Sequence, residues 1–253
     1  MDVKNKYGCL ETQKQLLMML KDFHSFCEKE EIRYSLCSGS LLGAIRHNGF
    51  IPWDDDVDVM LDRENQKRLV NEFHKCKGYK IERRNLWLWR VRKESETKDF
   101  GVTTIDIFTL DHVPNTLIGK KAKLFLVATI RGMLKDKIYC EGHSLPTQIC
   151  IVLTFLLGRL LPRAIKLKLF DRIAQIGNER PRNSVTKYDD LFQYLQVYYN
   201  ADVMKHIVLH SFEDTQLCIV EQYDKVLTAD YGDYMTPPPE EKRRPEHGVA
   251  ERL

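Results

Sequence analysis

The sequence lacks the features that would sort it quickly into several common classes. No CxxC pair occurs among its seven cysteines, and their number is odd, so a disulfide framework is not expected. Buried thiols in a reducing compartment are the expectation instead. Residues 1–7 carry no apolar signal core, which argues against secretion and for a cytoplasmic place. The longest apolar run, residues 149–157, stops at Gly158-Arg159 and is too short to cross a bilayer. No repeat and no Gly/Ser linker appears. The formal net charge is only +3, too small to imply a nucleic-acid partner.

What is present is an ordinary globular balance, 43% hydrophobic and 30% charged over 253 residues, enough chain to bury a core. The charge is unevenly spread. Residues 113–187 hold 14 Lys and Arg against 4 Asp and Glu, a balance of +10 that leaves the remainder net acidic. Residues 10–30 repeat Leu and Phe at helical spacing and predict an amphipathic helix. Strands are expected at 34–37, 57–61, 79–83, 86–91 and 102–108, the last rich in β-branched residues. Asp62-Arg63-Glu64 is read as the cap and start of a helix reaching about residue 77. After His112 the pattern turns helical, with helices expected at 117–135, 147–160, 163–177 and 188–199, and one more near 215–228 before the Pro-rich 236–239. The expected class is α+β: a small mixed sheet flanked by helices, with a mostly helical middle and C-terminal part. Residues 1–112 would form the catalytic core, 113–200 a basic helical region, and 201–253 a part completing the catalytic domain.

The chemistry concentrates at Trp53-Asp54-Asp55-Asp56-Val57-Asp58. Carboxylates this crowded repel one another and become favourable as ligands of a divalent cation. On an extended segment Asp54, Asp56 and Asp58 share one face. Hard oxygen donors suit Mg²⁺ or Mn²⁺. An EF-hand is excluded, because position six counted from Asp54 is Val59 and position twelve is Asn65. A further carboxylate, Asp106, is embedded between Ile105 and Ile107, where it either faces a site or alternates out to solvent. Upstream, Ser38-Gly39-Ser40 forms a small-residue turn into a helix at 41–46, a place where backbone N–H groups can meet a phosphate. A phosphate cradle, an Asp-x-Asp and a strand Asp, in that order, are the layout of metal-assisted phosphoryl transfer. Arg46 and His47 are either phosphate contacts or helix-end charges. Trp87 and Trp89 serve either to stack on a base or sugar, or as part of a sheet face.

The run GSLLGAIRHNGFIPWDDDVDV at 39–59 closely resembles the LicD family of phosphotransferases, which includes the fukutin-type proteins. TIDIFTLD at 104–111 resembles the family's second block, and YGDYMTPPP at 231–239 with His247 its closing block. The resemblance implies a nucleotidyltransferase-like fold. It also implies transfer of a phospho-alcohol (phosphocholine, ribitol phosphate or glycerol phosphate) from a CDP-linked donor such as CDP-choline. The acceptor would be a sugar hydroxyl of a cell-surface polysaccharide, lipopolysaccharide or teichoic acid, free or lipid-linked. Carried over by position, Asp56, Asp58 and Asp106 are the catalytic and metal-binding carboxylates. Ser38, Gly39, Ser40, Arg46 and Asp54 are assigned to substrate binding.

Two other readings compete: an Asp-x-Asp glycosyltransferase using a nucleotide-sugar, and a non-catalytic binding subunit of the same fold. The basic middle also has two readings. It is either a peripheral contact with the inner face of an anionic membrane, or a buried helical subdomain whose apolar positions are core.

Overall fold

The computed structural model describes residues 6–83, 87–95, 103–138, 140–142, 144–179 and 182–245. Val102, Leu86 and His247 lie outside the described residues. The chain divides into two units, residues 1–82, 88–110 and 202–253 in the first, and 83–87 and 111–201 in the second.

In the first unit, helix α1 (Leu10–Lys29) buries Leu16, Met19, Leu20, Phe23, Phe26 and Cys27, the single stripe its 3.6-residue period predicts. It faces a sheet ordered β1 (Ser35–Leu36), β2 (Val57–Asp62), β5 (Ile105–His112), β4 (Trp89–Lys93), β3 (Tyr79–Glu82). β2 and β5 run parallel at its centre, and every other neighbouring pair is antiparallel. The α+β class with a mixed sheet is therefore the one expected. From Ile105 to Asp111 β5 is buried continuously, as a strand covered on both faces must be. Helix α2 (Ser38–His47) links β1 to the loop before β2, and α3 (Arg63–Glu72) follows β2 directly. As the cap pattern predicted, Asp62 accepts the Asn65 N–H at the start of α3, 2.8 Å away.

Residues 207–231 differ from expectation. The helix predicted near 215–228 is instead strand β9 (Thr215–Val220) followed by α7 (Tyr223–Tyr231), and β9 pairs with β8 (Ile207–Phe212) as a hairpin. The buried Leu217, Ile219 and Val220 of β9 pack against α1 and β1, and its Val220 N–H donates to Ser35 Oγ at 2.9 Å. Tertiary packing, not local propensity, decides such a short apolar run.

The second unit holds α4 (Leu117–Leu134), α5 (Leu145–Arg159) and α6 (Arg163–Ala174), close to the predicted helices. Its core is Val127, Ile130, Leu134, Phe170, Ala174, Tyr188 and Leu195. The helix predicted at 188–199 is absent. That stretch is a 3₁₀ turn at Phe192–Tyr194 and strand β7 (Tyr199–Asn200), which pairs antiparallel with β6 (Ser184–Lys187). Several charges counted in the basic stretch are internal. Lys187 pairs with Asp190 at 2.8 Å with both side chains buried. The buried Lys123 donates to the carbonyls of His112 and Ile176. Arg131 stacks 4.3 Å from the Trp87 ring, and burial pulls its pKa down to about 10 against the opposing pull of Asp189 and Asp190. Trp87 donates its indole N–H to the Asp189 carbonyl at 2.9 Å.

Candidate functional site

The site is built on the parallel pair β2–β5. Their register sets Asp58 directly beside Asp106, and β4 sets Arg90 directly across from Asp106. Cross-strand partners lie on one face of a sheet, so Asp58, Asp106 and Arg90 form a row over three adjacent strands. Asp106 is buried, and Arg90 donates Nη2 to its Oδ2 at 2.7 Å, with Nε 2.7 Å from Oδ1 in the same ion pair. The Thr104 hydroxyl donates to the same carboxylate at 3.2 Å. Of the two readings of Asp106, the solvent face is thus excluded. Sequence reading missed Arg90, although an Arg alternating with apolar residues in Leu88-Trp89-Arg90-Val91 was the available signal.

The backbone at Asp58 is pinned from both sides. Its N–H donates to Ser40 Oγ at 2.9 Å, and its carbonyl accepts from the Cys37 N–H at 3.1 Å. Ser40 is buried and its hydroxyl serves this bond, fastening α2 to β2. Ser38-Gly39-Ser40 is the first turn of α2 itself and not a turn ahead of it. Ser38 enters with φ 49°, a left-handed conformation uncommon outside glycine. At Gly39 a Cβ would stand 2.8 Å from Asp54 Oδ2, so the Asp54 carboxylate already lies against the start of the helix. A carboxylate is favoured there by the exposed N–H groups and the helix dipole.

The turn carrying the carboxylates is held by its neighbours. Gln13 of α1 donates its amide to the carbonyls of Ile51 and Asp54, at 3.0 and 2.9 Å. Glu213, in the two-residue turn between β8 and β9, accepts the Phe50 N–H at 3.0 Å and donates its own N–H to Asn48 O at 2.8 Å. Asn48 and Glu213 both sit at φ 52°. Gly43 permits this approach, because a Cβ there would meet Gly49 O at 2.4 Å. Asp55 is the buried member of the run. The charges of Asp55 and Asp54 add to burial in raising the Cys9 thiol to about 11.

Arg46 donates Nη1 to the Tyr234 carbonyl at 2.8 Å and Nε to His47 Nε2 at 3.0 Å. It therefore ties α2 to the 231–239 block. Trp53 lies under the Arg243 guanidinium at 5.3 Å and edge-on to Tyr7 and His47. Burial, helped by Arg46, holds His47 below its ordinary pKa.

Asp54, Asp56, Asp58 and Asp106 are the hard, anionic oxygen donors that a Mg²⁺ or Mn²⁺ ion takes. Two of them are neighbours by register, and the Arg90 fork leaves further lone pairs on Asp106. Among the described residues no three acid, His or Cys side chains are already gathered around one point. The donor chemistry fits such an ion.

The sequence profile of the LicD/FKTN/FKRP nucleotidyltransferase domain matches residues 31–122. The lipopolysaccharide cholinephosphotransferase LicD of Haemophilus influenzae is 31% identical over 94% of this chain and 95% of its own. Uncharacterized proteins of Rickettsia typhi and Rickettsia prowazekii match more narrowly, at 37% and 30% identity over 29% and 48% of this chain.

Proposed function

The chain belongs to the LicD family, and we propose that it transfers phosphocholine from CDP-choline to a sugar hydroxyl of a lipopolysaccharide-type glycan. The observation that carries this reading is the end-to-end similarity to a cholinephosphotransferase. The Asp58–Asp106–Arg90 row, formed by that family's first two blocks and the strand between them, supports it.

Asp56, Asp58 and Asp106 would hold a divalent cation, Mg²⁺ or Mn²⁺, whose charge offsets the donor diphosphate and the departing CMP. Arg90 orients Asp106, and Ser40 fixes the backbone from which Asp58 projects. The acceptor oxygen attacks the choline-bearing phosphorus in line. An O–P bond forms as the P–O bond to CMP breaks, and the acceptor proton leaves to a carboxylate. The start of α2, with Ser38 and Gly39, faces the donor phosphates, and Asp54 beside Gly39 sets how closely they approach. A cytoplasmic place, where CDP-linked donors are made, accords with this chemistry.

The test measures CMP release from CDP-choline, CDP-ribitol and CDP-glycerol with a lipopolysaccharide acceptor, with and without EDTA. Release from CDP-choline that stops with EDTA and returns with Mg²⁺ is expected. Full turnover in EDTA removes the metal role, and release only from another donor reassigns the cargo.

A further inference from the structure

We propose that the outer faces of α5 and α4 form a docking surface for an anionic lipid bilayer. The inference is independent of the transfer chemistry and rests on the second unit alone. Amphipathic helices ordinarily bury their leucines; α5 does the reverse. Its exposed residues include Leu145, Ile149, Leu153, Leu156 and Leu157, with Leu160 just beyond, at spacings of three and four that define one face. Leu153 is 54% exposed and Leu160 76%.

The side of α5 that meets α4 carries Thr154 and Gly158 at the points of closest approach. A Cβ on Gly158 would meet Met133 O at 2.2 Å, and one on Gly132 of α4 would meet Thr154 Oγ1 at 2.4 Å. The two helices thus cross closely through Gly132, Thr154 and Gly158, and the leucines are left outside. α4 adds Leu117, Ile118, Phe125 and Leu126, all exposed. Exposed apolar faces of this kind mark an interaction site.

Charge selects the occupant. Neither α4 nor α5 contains an Asp or Glu. Exposed Lys121 stands one helical turn from both Ile118 and Phe125, and exposed Arg159 one turn from Leu156; Lys168 and Arg172 follow on α6. A second copy docking symmetrically would bring these bases toward one another with no acid from α4 or α5 to neutralise them. An anionic surface neutralises them all and takes up the leucines at the depth of the headgroups. Fifteen residues of helix reach about 22 Å, short of the roughly 30 Å hydrocarbon core. No helix among the described residues is long and apolar enough to cross a membrane. The surface therefore lies in the interface.

The experiment is flotation of the full chain with phosphatidylcholine vesicles, plain or containing phosphatidylglycerol, at low and high salt. Binding to the anionic vesicles at low salt, weakened by salt, is expected. Each base near such a surface tightens partition about fivefold. Lys121→Gln with Arg159→Gln should therefore weaken binding roughly 25-fold. Leu153→Ser with Leu157→Ser should abolish it while leaving the melting temperature unchanged, since both side chains are exposed. Absence of wild-type binding at low salt overturns the proposal, as does a leucine variant that floats like wild type. Sedimentation of the lipid-free protein as a dimer that the leucine variant converts to monomer, without flotation, assigns the face to a second copy instead.

Discussion

α2 and α5 invert the usual relation between composition and burial. α2, SGSLLGAIRH, contains two glycines and two serines yet buries five consecutive residues, Ser40–Ala44. α5 holds eight Leu, Ile, Val and Phe among its fifteen residues and buries only Gly158. In each helix the small residues mark where backbone meets backbone. In α2 that close packing draws Gly49 and the carboxylate loop against the helix. In α5 it holds the helix on α4 and leaves the large side chains for something outside the unit. Small residues therefore build the site in one unit and turn a surface outward in the other.

The sharpest way to break this contrast is to remove a charge in one unit and an apolar pair in the other. Asp58→Asn and Asp106→Asn should each lower CMP release by about a thousandfold or more, the scale of losing a preorganised electrostatic contact. Melting temperature should stay level or rise for Asp58→Asn, because like charges are relieved in the metal-free protein, and should fall for Asp106→Asn, which leaves the Arg90 charge without its partner. Leu153→Ser with Leu157→Ser should leave release from soluble substrates within about twofold, as exposed changes away from chemistry do. A fast Asp58→Asn enzyme would move the site elsewhere.

Two arginines give the next test. Arg90→Lys keeps the charge but loses the two-nitrogen grip on Asp106, and kcat should fall about 10- to 100-fold with restored activity at higher Mg²⁺. Arg131→Lys loses its stacking on Trp87 and its bond to Tyr188 O. It should lower the melting temperature and leave kcat unchanged. Steady-state kinetics beside calorimetry separates the two.

Glycine substitutions sharpen the contrast in packing. Gly43→Ala and Gly158→Ala each drive a Cβ into a backbone carbonyl, at 2.4 and 2.2 Å, and overpacking of this kind costs about 1–3 kcal/mol. Denaturant unfolding should show a similar loss for both. Specific activity of the folded fraction should fall only for Gly43→Ala, because the displaced Gly49 carries the turn to the carboxylates.

How much of this the sequence discloses depends on how local each cause is. The α2 motif, the Asp62 cap and the β-branched run of β5 are local patterns; helix α1 and strand β2 formed where they predicted, and β5 runs at 105–112 where 102–108 was expected. Asp58 and Asp106 came together through the parallel register of β2 and β5, which neither strand discloses alone. The hairpin β8–β9 was misread because Leu217, Ile219 and Val220 answer to α1 and β1, nearly two hundred residues away in sequence. Arg90 was passed over because its meaning lies in a cross-strand partner, Asp106. The exposed leucines of α5 have the spacing of a buried helix, and periodicity records that a face exists without recording what covers it.

The smallest effect is also a comparison, one histidine in each unit. His47 lies below its ordinary pKa because it is half-buried and beside Arg46. His112 is lowered first by burial, then by Lys123 and Arg182, with Asp111 pulling the other way. For a base whose folded pKa lies below the unfolded value of about 6.5, the unfolded chain binds the proton more readily. Stability is then complete above pH 6.5 and is lost as pH falls from there toward the folded value, below which the loss levels off. His47→Gln should flatten this loss in the first unit, and His112→Gln in the second. Each should narrow the difference in melting temperature between pH 7 and pH 5 by on the order of 1–2 °C. Gln retains a side-chain donor and acceptor without the titration, so a change at pH 7 equal to that at pH 5 would mean lost packing and not a lost proton site. If the two units melt separately, the His47 effect should appear in one transition and the His112 effect in the other. If both substitutions move a single transition equally, the chain unfolds as one cooperative body, and its two units differ in what they present to the outside but not in how they hold together.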